Sequence, residues 1–60
     1  MERPKINEIW LSNGYIPFRI IQIINQEKKT WVYYRREKDG EEFYCLEEAF
    51  VHRFTRFINE

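Results

Sequence analysis

Cysteine is nearly absent: the 60-residue chain holds one, Cys45. A single cysteine excludes an internal disulfide and fits a reducing compartment. Histidine is equally scarce, with His52 alone. Together the two fall short of the three or four ligands of a zinc site. Two glycines and two prolines supply neither a phosphate loop nor a dinucleotide fingerprint. No apolar run approaches the ~20 residues of a membrane span. The start, Met1-Glu2-Arg3-Pro4-Lys5, leads into no signal-peptide core. Net charge is absent as well: ten Lys+Arg balance ten Asp+Glu, whereas nucleic-acid-binding domains are usually basic.

What is present is apolar and aromatic. Hydrophobic residues make up 43% and aromatics 18%, which argues against disorder. One domain over residues 1–60 is expected, with an ordered core over about 7–58 and a loosely held arm at 1–5. A chain this short buries only ~60% of its unfolded surface, so core and enclosed catalytic pocket compete for the same residues. The charge is unevenly placed. Six acids (Glu37, Asp39, Glu41, Glu42, Glu47, Glu48) and one base, Lys38, lie between Glu37 and Glu48. That segment carries a formal −5, which leaves +5 on the rest.

Turn signals divide the chain at Ser12-Asn13-Gly14, at Asn25–Lys29, at Lys38-Asp39-Gly40-Glu41 and near Thr55. Between them, Glu8–Leu11, Tyr15–Ile24, Thr30–Arg36 and Glu42–Leu46 read as strands rich in β-branched and aromatic residues. In Tyr15–Ile24 the apolar positions fall on both parities, as in a long strand that bends and serves two faces. Pro17 belongs at an edge, a bulge or a strand start. Leu46, Ala49, Phe50, Arg53 and Phe54 recur at helical spacing. Thr55–Ile58 reads as a last strand. The predicted fold is mostly β, a small five-stranded SH3-like barrel with one short helix or 3₁₀ turn before the last strand. The other plan this order allows is an open antiparallel sheet with the helix across one face.

The predicted core is Trp10, Phe18, Ile20, Val32, Tyr34, Phe50 and Phe54, with Phe57 expected beside it. Trp31, Tyr33 and Arg35 share the opposite side of their strand from Val32, Tyr34 and Arg36. A two-residue Asp39-Gly40 loop would set Tyr34 opposite Cys45. It would put Val32, Tyr34, Phe43 and Cys45 on one face, and Trp31, Tyr33, Arg35, Tyr44 and Leu46 on the other. A three-residue loop with Gly40 as a bulge would exchange Phe43 and Cys45 to that other face. Either register leaves a Trp-Tyr-Arg face, and these residue types dominate protein-binding hot spots.

The chain resembles small uncharacterised proteins carried by bacteriophages and prophages. The shared pattern begins with Ile9-Trp10 and Gly14, followed by Phe18-Arg19-Ile20-Ile21. It continues through Val32-Tyr33-Tyr34-Arg35-Arg36, Gly40 and Leu46, and ends in Phe50, Arg53, Phe54 and Thr55-Arg56-Phe57. The resemblance implies an SH3-like fold and a phage or prophage origin, hence the cytoplasm of a bacterial host. It brings no activity and no catalytic residues.

Catalysis is not expected. Cys45 lies in an apolar strand without an oxyanion device, and the acids lack both a facing cleft and calcium-loop spacing. No cofactor or metal motif is present. The expected function is a non-catalytic binding module acting on a protein, such as a host or defence factor that it blocks. Trp31, Tyr33, Arg35 and Tyr44 would form the contact, with Glu41 and Glu42 as an acidic rim. A second copy of the chain is a further candidate partner. The alternative is nucleic-acid binding, with Arg19, Lys28, Lys29, Arg36, Arg53 and Arg56 on phosphates and the aromatics stacked on bases. The two separate on charge placement: bases clustered away from the acids favour nucleic acid, and bases interleaved with acids do not.

Overall fold

The computed structural model describes residues 3–58. Its elements follow the order β1 (Ile9–Leu11), β2 (Pro17–Gln26), β3 (Lys29–Arg36), β4 (Glu42–Leu46), α1 (Glu47–Arg53) and β5 (Thr55–Arg56). All pairings are antiparallel, in the sheet order β4-β3-β2-β1-β5. The fold is mostly β, as expected: five antiparallel strands in one sheet, with one short helix before the last strand. No helix among the described residues is long and apolar enough to cross a membrane.

The mixed parity of β2 has a structural cause. Ile20 pairs with Tyr34 and Gln22 with Tyr33, so Ile21 is an extra residue in the ladder. This bulge bends the strand and resets its alternation. Before it, Phe18 and Ile20 point inward; after it, Ile23 pairs with Val32 on the inner side and Ile24 with Trp31 on the outer. Pro17 opens β2, where its missing N–H leaves no gap in the ladder, and its carbonyl accepts the Glu37 N–H at 3.1 Å.

The segment Asn25–Lys29, expected as a polar break, is mostly strand. β2 and β3 continue to a two-residue turn at Glu27-Lys28, flanked by the pairs Asn25↔Thr30 and Gln26↔Lys29. Thr30 Oγ1 donates to Asn25 Oδ1 at 2.6 Å. Glu27 and Lys28 have φ of 53° and 65°, the left-handed pair of a type I′ turn, a geometry that favours Asn-Gly. Glu27→Asn combined with Lys28→Gly should therefore raise stability by about 1 kcal/mol. A chemical denaturation midpoint that stays put or falls would refute this.

The β3–β4 hairpin follows neither the two-residue nor the three-residue loop expected for it. Tyr34 faces Phe43, and Cys45 faces Val32, a slip of two residues from the Tyr34–Cys45 pairing. Arg36 donates its N–H to the Glu41 carbonyl at 2.9 Å and accepts the Gly40 N–H at 2.7 Å. The loop thus holds four residues, Glu37 to Gly40, and Gly40 supplies its φ of 77°. An even slip preserves the faces, so Val32, Tyr34, Phe43 and Cys45 still share the inner side.

The core is Trp10, Phe18, Ile20, Val32, Tyr34, Phe50 and Phe54, the seven residues predicted. Phe50 and Phe54 stack at 4.3 Å. Trp10 meets Phe50 at 5.2 Å, and Phe18 meets Phe54 at 5.3 Å. A seven-residue helix has no independent stability in water; this one is held by its two phenylalanines. Glu47 and Glu48 in its first turn, and His52 and Arg53 in its last, suit its dipole.

Two expectations fail at the ends. Phe57 is 48% exposed and does not join the core. β5 pairs with β1 through Trp10↔Arg56, so Arg56 shares the inward side of Trp10 and alternation turns Phe57 outward. The expected last strand, Thr55–Ile58, is correspondingly cut to Thr55–Arg56. Of residues 1–5, expected as a loosely held arm, Met1 and Glu2 lie outside the described residues. Pro4 is buried, Arg3 pairs with Glu47 at 3.2 Å, and the Lys5 N–H donates to Glu8 Oε1 at 2.9 Å.

Candidate functional site

Each inner residue of β3 and β4 has an outward neighbour, and the outward set is aromatic. Trp31, Tyr33 and Arg35 follow one another along β3, with Tyr44 opposite Tyr33, Leu46 opposite Trp31 and Glu42 opposite Arg35. The Tyr33 and Tyr44 rings stack at 5.3 Å, 22° from parallel. Trp31 leans on Tyr44 at 5.9 Å. Tyr44 is 63% exposed, while Trp31, Tyr33 and Arg35 are half-buried. Gln26, Glu27 and Lys29 join the three rings around a shallow hollow. Ile24 extends the apolar ground beside Trp31. Sequence reading missed Ile24, because only the bulge at Ile21 brings it to this side.

The two acids assigned to the rim part company. Glu42 stands on the aromatic face. Glu41 lies on the other parity and binds Arg36 Nη2 at 2.5 Å. Arg36 also grips Asp39 in a two-pronged contact of 3.0 and 2.9 Å, and its guanidinium sits over Phe43 at 5.4 Å. The Arg36 guanidinium, aided by the Glu41 N–H, holds the Asp39 carboxyl down at about 2. A carboxyl whose pKa is lower when folded stabilises the fold above its unfolded value of 3.8. That contribution drains away as pH falls towards 2. Asp39→Asn should therefore destabilise at neutral pH, and the gap from wild type should close between pH 4 and 2. Denaturation midpoints measured across that range decide it; a gap independent of pH would refute the assignment.

The bases proposed for nucleic acid are dispersed. Arg19 pairs with Glu37 at 2.7 Å and donates to the Asn7 carbonyl at 3.3 Å. Arg36 is engaged as described, and Arg56 pairs with Glu8 at 3.3 Å. Lys28 and Lys29 sit at the β2–β3 turn and Arg53 at the end of α1, all exposed. Arg19, Arg36 and Arg56 thus interleave with acids, the arrangement that counts against a phosphate-tracking surface.

Cys45 lies on the inner side of β4, packed against the core. Burial raises its thiol pKa, and nearby Tyr34 and Arg53 lower it only in part. Burial, followed by the charge of Cys45, pushes the Tyr34 hydroxyl up to about 12. His52 is exposed beside Ser12, Asn13, Arg53 and Phe54. No group of three or more His, Cys, Asp or Glu among the described residues could hold a metal ion. The chain matches no protein-family model, no curated protein and no solved structure.

Proposed function

We propose that the chain is a non-catalytic binding module whose partner is a protein, docked on the face of Trp31, Tyr33, Tyr44 and Arg35. One observation carries this reading: on the outer side of β3 and β4 the Tyr44 ring touches both Trp31 and Tyr33, and no element of the described residues covers the three rings. Such rings supply large rigid contact area at small entropic loss, and Arg35 adds a planar cation beside them. Glu42 at the edge of the face would orient a partner and speed its encounter. With the phage resemblance, the natural class of partner is a bacterial host or defence factor that the module blocks.

The test is capture of protein from bacterial lysate, with and without nuclease, by wild type, Trp31→Ala and Phe57→Ala. Phe57 is exposed away from the face and serves as control. A captured protein is then purified and titrated. Nuclease-resistant binding that Trp31→Ala weakens at least about a hundredfold, the scale of a hot-spot truncation, supports the reading. Equal binding by all three forms would sink it. Tight, Trp31-dependent binding to single-stranded oligonucleotides at physiological salt would replace it with nucleic-acid recognition.

A further inference from the structure

The turn from β1 to β2 and the end of α1 border a hollow that shares no residue with the aromatic face. Ser12, Asn13 and Arg53 line both of its adjoining halves. His52 belongs to one half; Tyr15 and Thr55 belong to the other, which measures about 420 Å³. Space of this order holds a small organic ligand.

The charge lining it has one sign. Among the described residues no Asp or Glu borders either half. Arg53 is exposed, and its guanidinium makes no ion pair or hydrogen bond among the described residues. The Tyr34 hydroxyl and the Cys45 thiol lie within electrostatic reach of Arg53 and are uncharged at neutral pH. Glu48 stands one turn before His52 on α1, yet it forms no ion pair with it and lines a separate hollow beside Lys28 and Lys29.

Donors are plentiful. The N–H groups of Asn13 and Gly14 bond to nothing among the described residues, while the Ser12 hydroxyl donates to the Asn13 carbonyl at 3.3 Å. With the Arg53 fork, the His52 ring, the Asn13 amide and the Thr55 hydroxyl, they outnumber the four lone-pair sites of a carboxylate. They suit the three terminal oxygens of a phosphate monoester, which Arg53 can grip with two bonds. The carbonyls that end α1 oppose an anion, so Arg53 has to outweigh them.

Tyr15 adds a flat surface. It is 83% exposed, and its ring meets no other ring among the described residues. Its φ of 62° is left-handed, an unfavourable conformation for a bulky residue. Hairpin bonds impose it, from the Ser12 N–H to the Ile16 carbonyl and from the Tyr15 N–H to the Ser12 carbonyl, both 2.9 Å. A ring held in this way is available to stack on a planar group.

We propose that the hollow binds a nucleoside monophosphate, with Arg53 on the phosphate and Tyr15 stacked on the base. This goes beyond the protein-binding reading, and neither depends on the other.

The isotopically labelled full chain is titrated with adenosine 5′-monophosphate, inorganic phosphate and adenosine. The monophosphate should shift the amides of Asn13, Gly14, His52 and Arg53, inorganic phosphate should shift the same set more weakly, and adenosine should leave it in place. Arg53→Gln should weaken the monophosphate at least about tenfold. Tyr15→Gly, which suits the left-handed position, should weaken it about tenfold and leave inorganic phosphate unchanged. Trp31→Ala should bind it as wild type does. Equal binding by Arg53→Gln, or no shift of these amides by either phosphate, overturns the site. Inorganic phosphate binding as tightly as the monophosphate overturns the role of Tyr15. Oligothymidine binding here more tightly than the monophosphate overturns the mononucleotide assignment in favour of a nucleic-acid strand.

Discussion

Phe50→Ala should bring the chain close to unfolding at room temperature. Phe50 is fully buried, and its ring meets Phe54, Trp10 and Tyr34 at 4.3, 5.2 and 5.1 Å. Truncating such a ring removes roughly 3–5 kcal/mol. A 60-residue domain has a total stability of roughly 3–9 kcal/mol, so the loss takes a third of it or more. The helix suffers as well, because Phe50 is its only fully buried residue. Phe54→Ala should cost slightly less, since that ring keeps 9% exposure. Phe57→Ala should fall within about 0.5 kcal/mol of wild type. Circular dichroism with urea titration ranks the three; a folded Phe50→Ala with an unchanged midpoint would show that the core does not depend on the helix.

Glu8→Ala should be the most damaging polar substitution. One oxygen of Glu8 accepts the Lys5 N–H at 2.9 Å and the Trp10 indole N–H at 3.1 Å. The other faces Arg56 at 3.3 Å. The Glu8 side chain is only 15% exposed, so water would replace these bonds incompletely. Removing the acceptor leaves the part-buried Trp10 donor unsatisfied, at a loss of about 2 kcal/mol. The substitution also loosens the pairing of β1 with β5 on which Arg56 sits. Glu8→Gln keeps one acceptor oxygen and should lose less than half as much. The Trp10 indole proton reports directly: its exchange with solvent should quicken in Glu8→Ala. Unchanged exchange would remove Glu8 from this role.

The core was legible because aromatic and β-branched residues at period two, joined to a Phe pair four apart, leave few ways to bury a 60-residue chain. The aromatic face followed from the same alternation, since Trp31 and Tyr33 had to lie opposite Val32 and Tyr34 whatever the register. Features that depend on pairing between strands were less legible. The four-residue loop was hidden by the Asp39-Gly40 signal, because Arg36 takes Asp39 and Glu41 as ion partners and closes the hairpin two residues earlier. Ile24 reached the outer face through a bulge that sequence periodicity hints at but does not locate. Phe57 looked like core by composition; the register of two residues against β1 turned it out. Glu8 looked like an ordinary surface acid, and only tertiary structure brings Arg56 to it.

The turn at Glu27-Lys28 also bears on the speed of folding. β2 and β3 form the longest hairpin of the sheet, and two adjacent non-glycine residues must enter the left-handed region before its strands can meet. That places a local conformational barrier at the start of assembly rather than at its end. Substitutions there act on the rate at which the native state is reached and scarcely on the rate at which it is lost. The asparagine-glycine exchange should thus steepen recovery from denaturant while leaving the lifetime of the folded chain nearly unchanged. β5, which among the described residues pairs with β1 alone, should show the reverse.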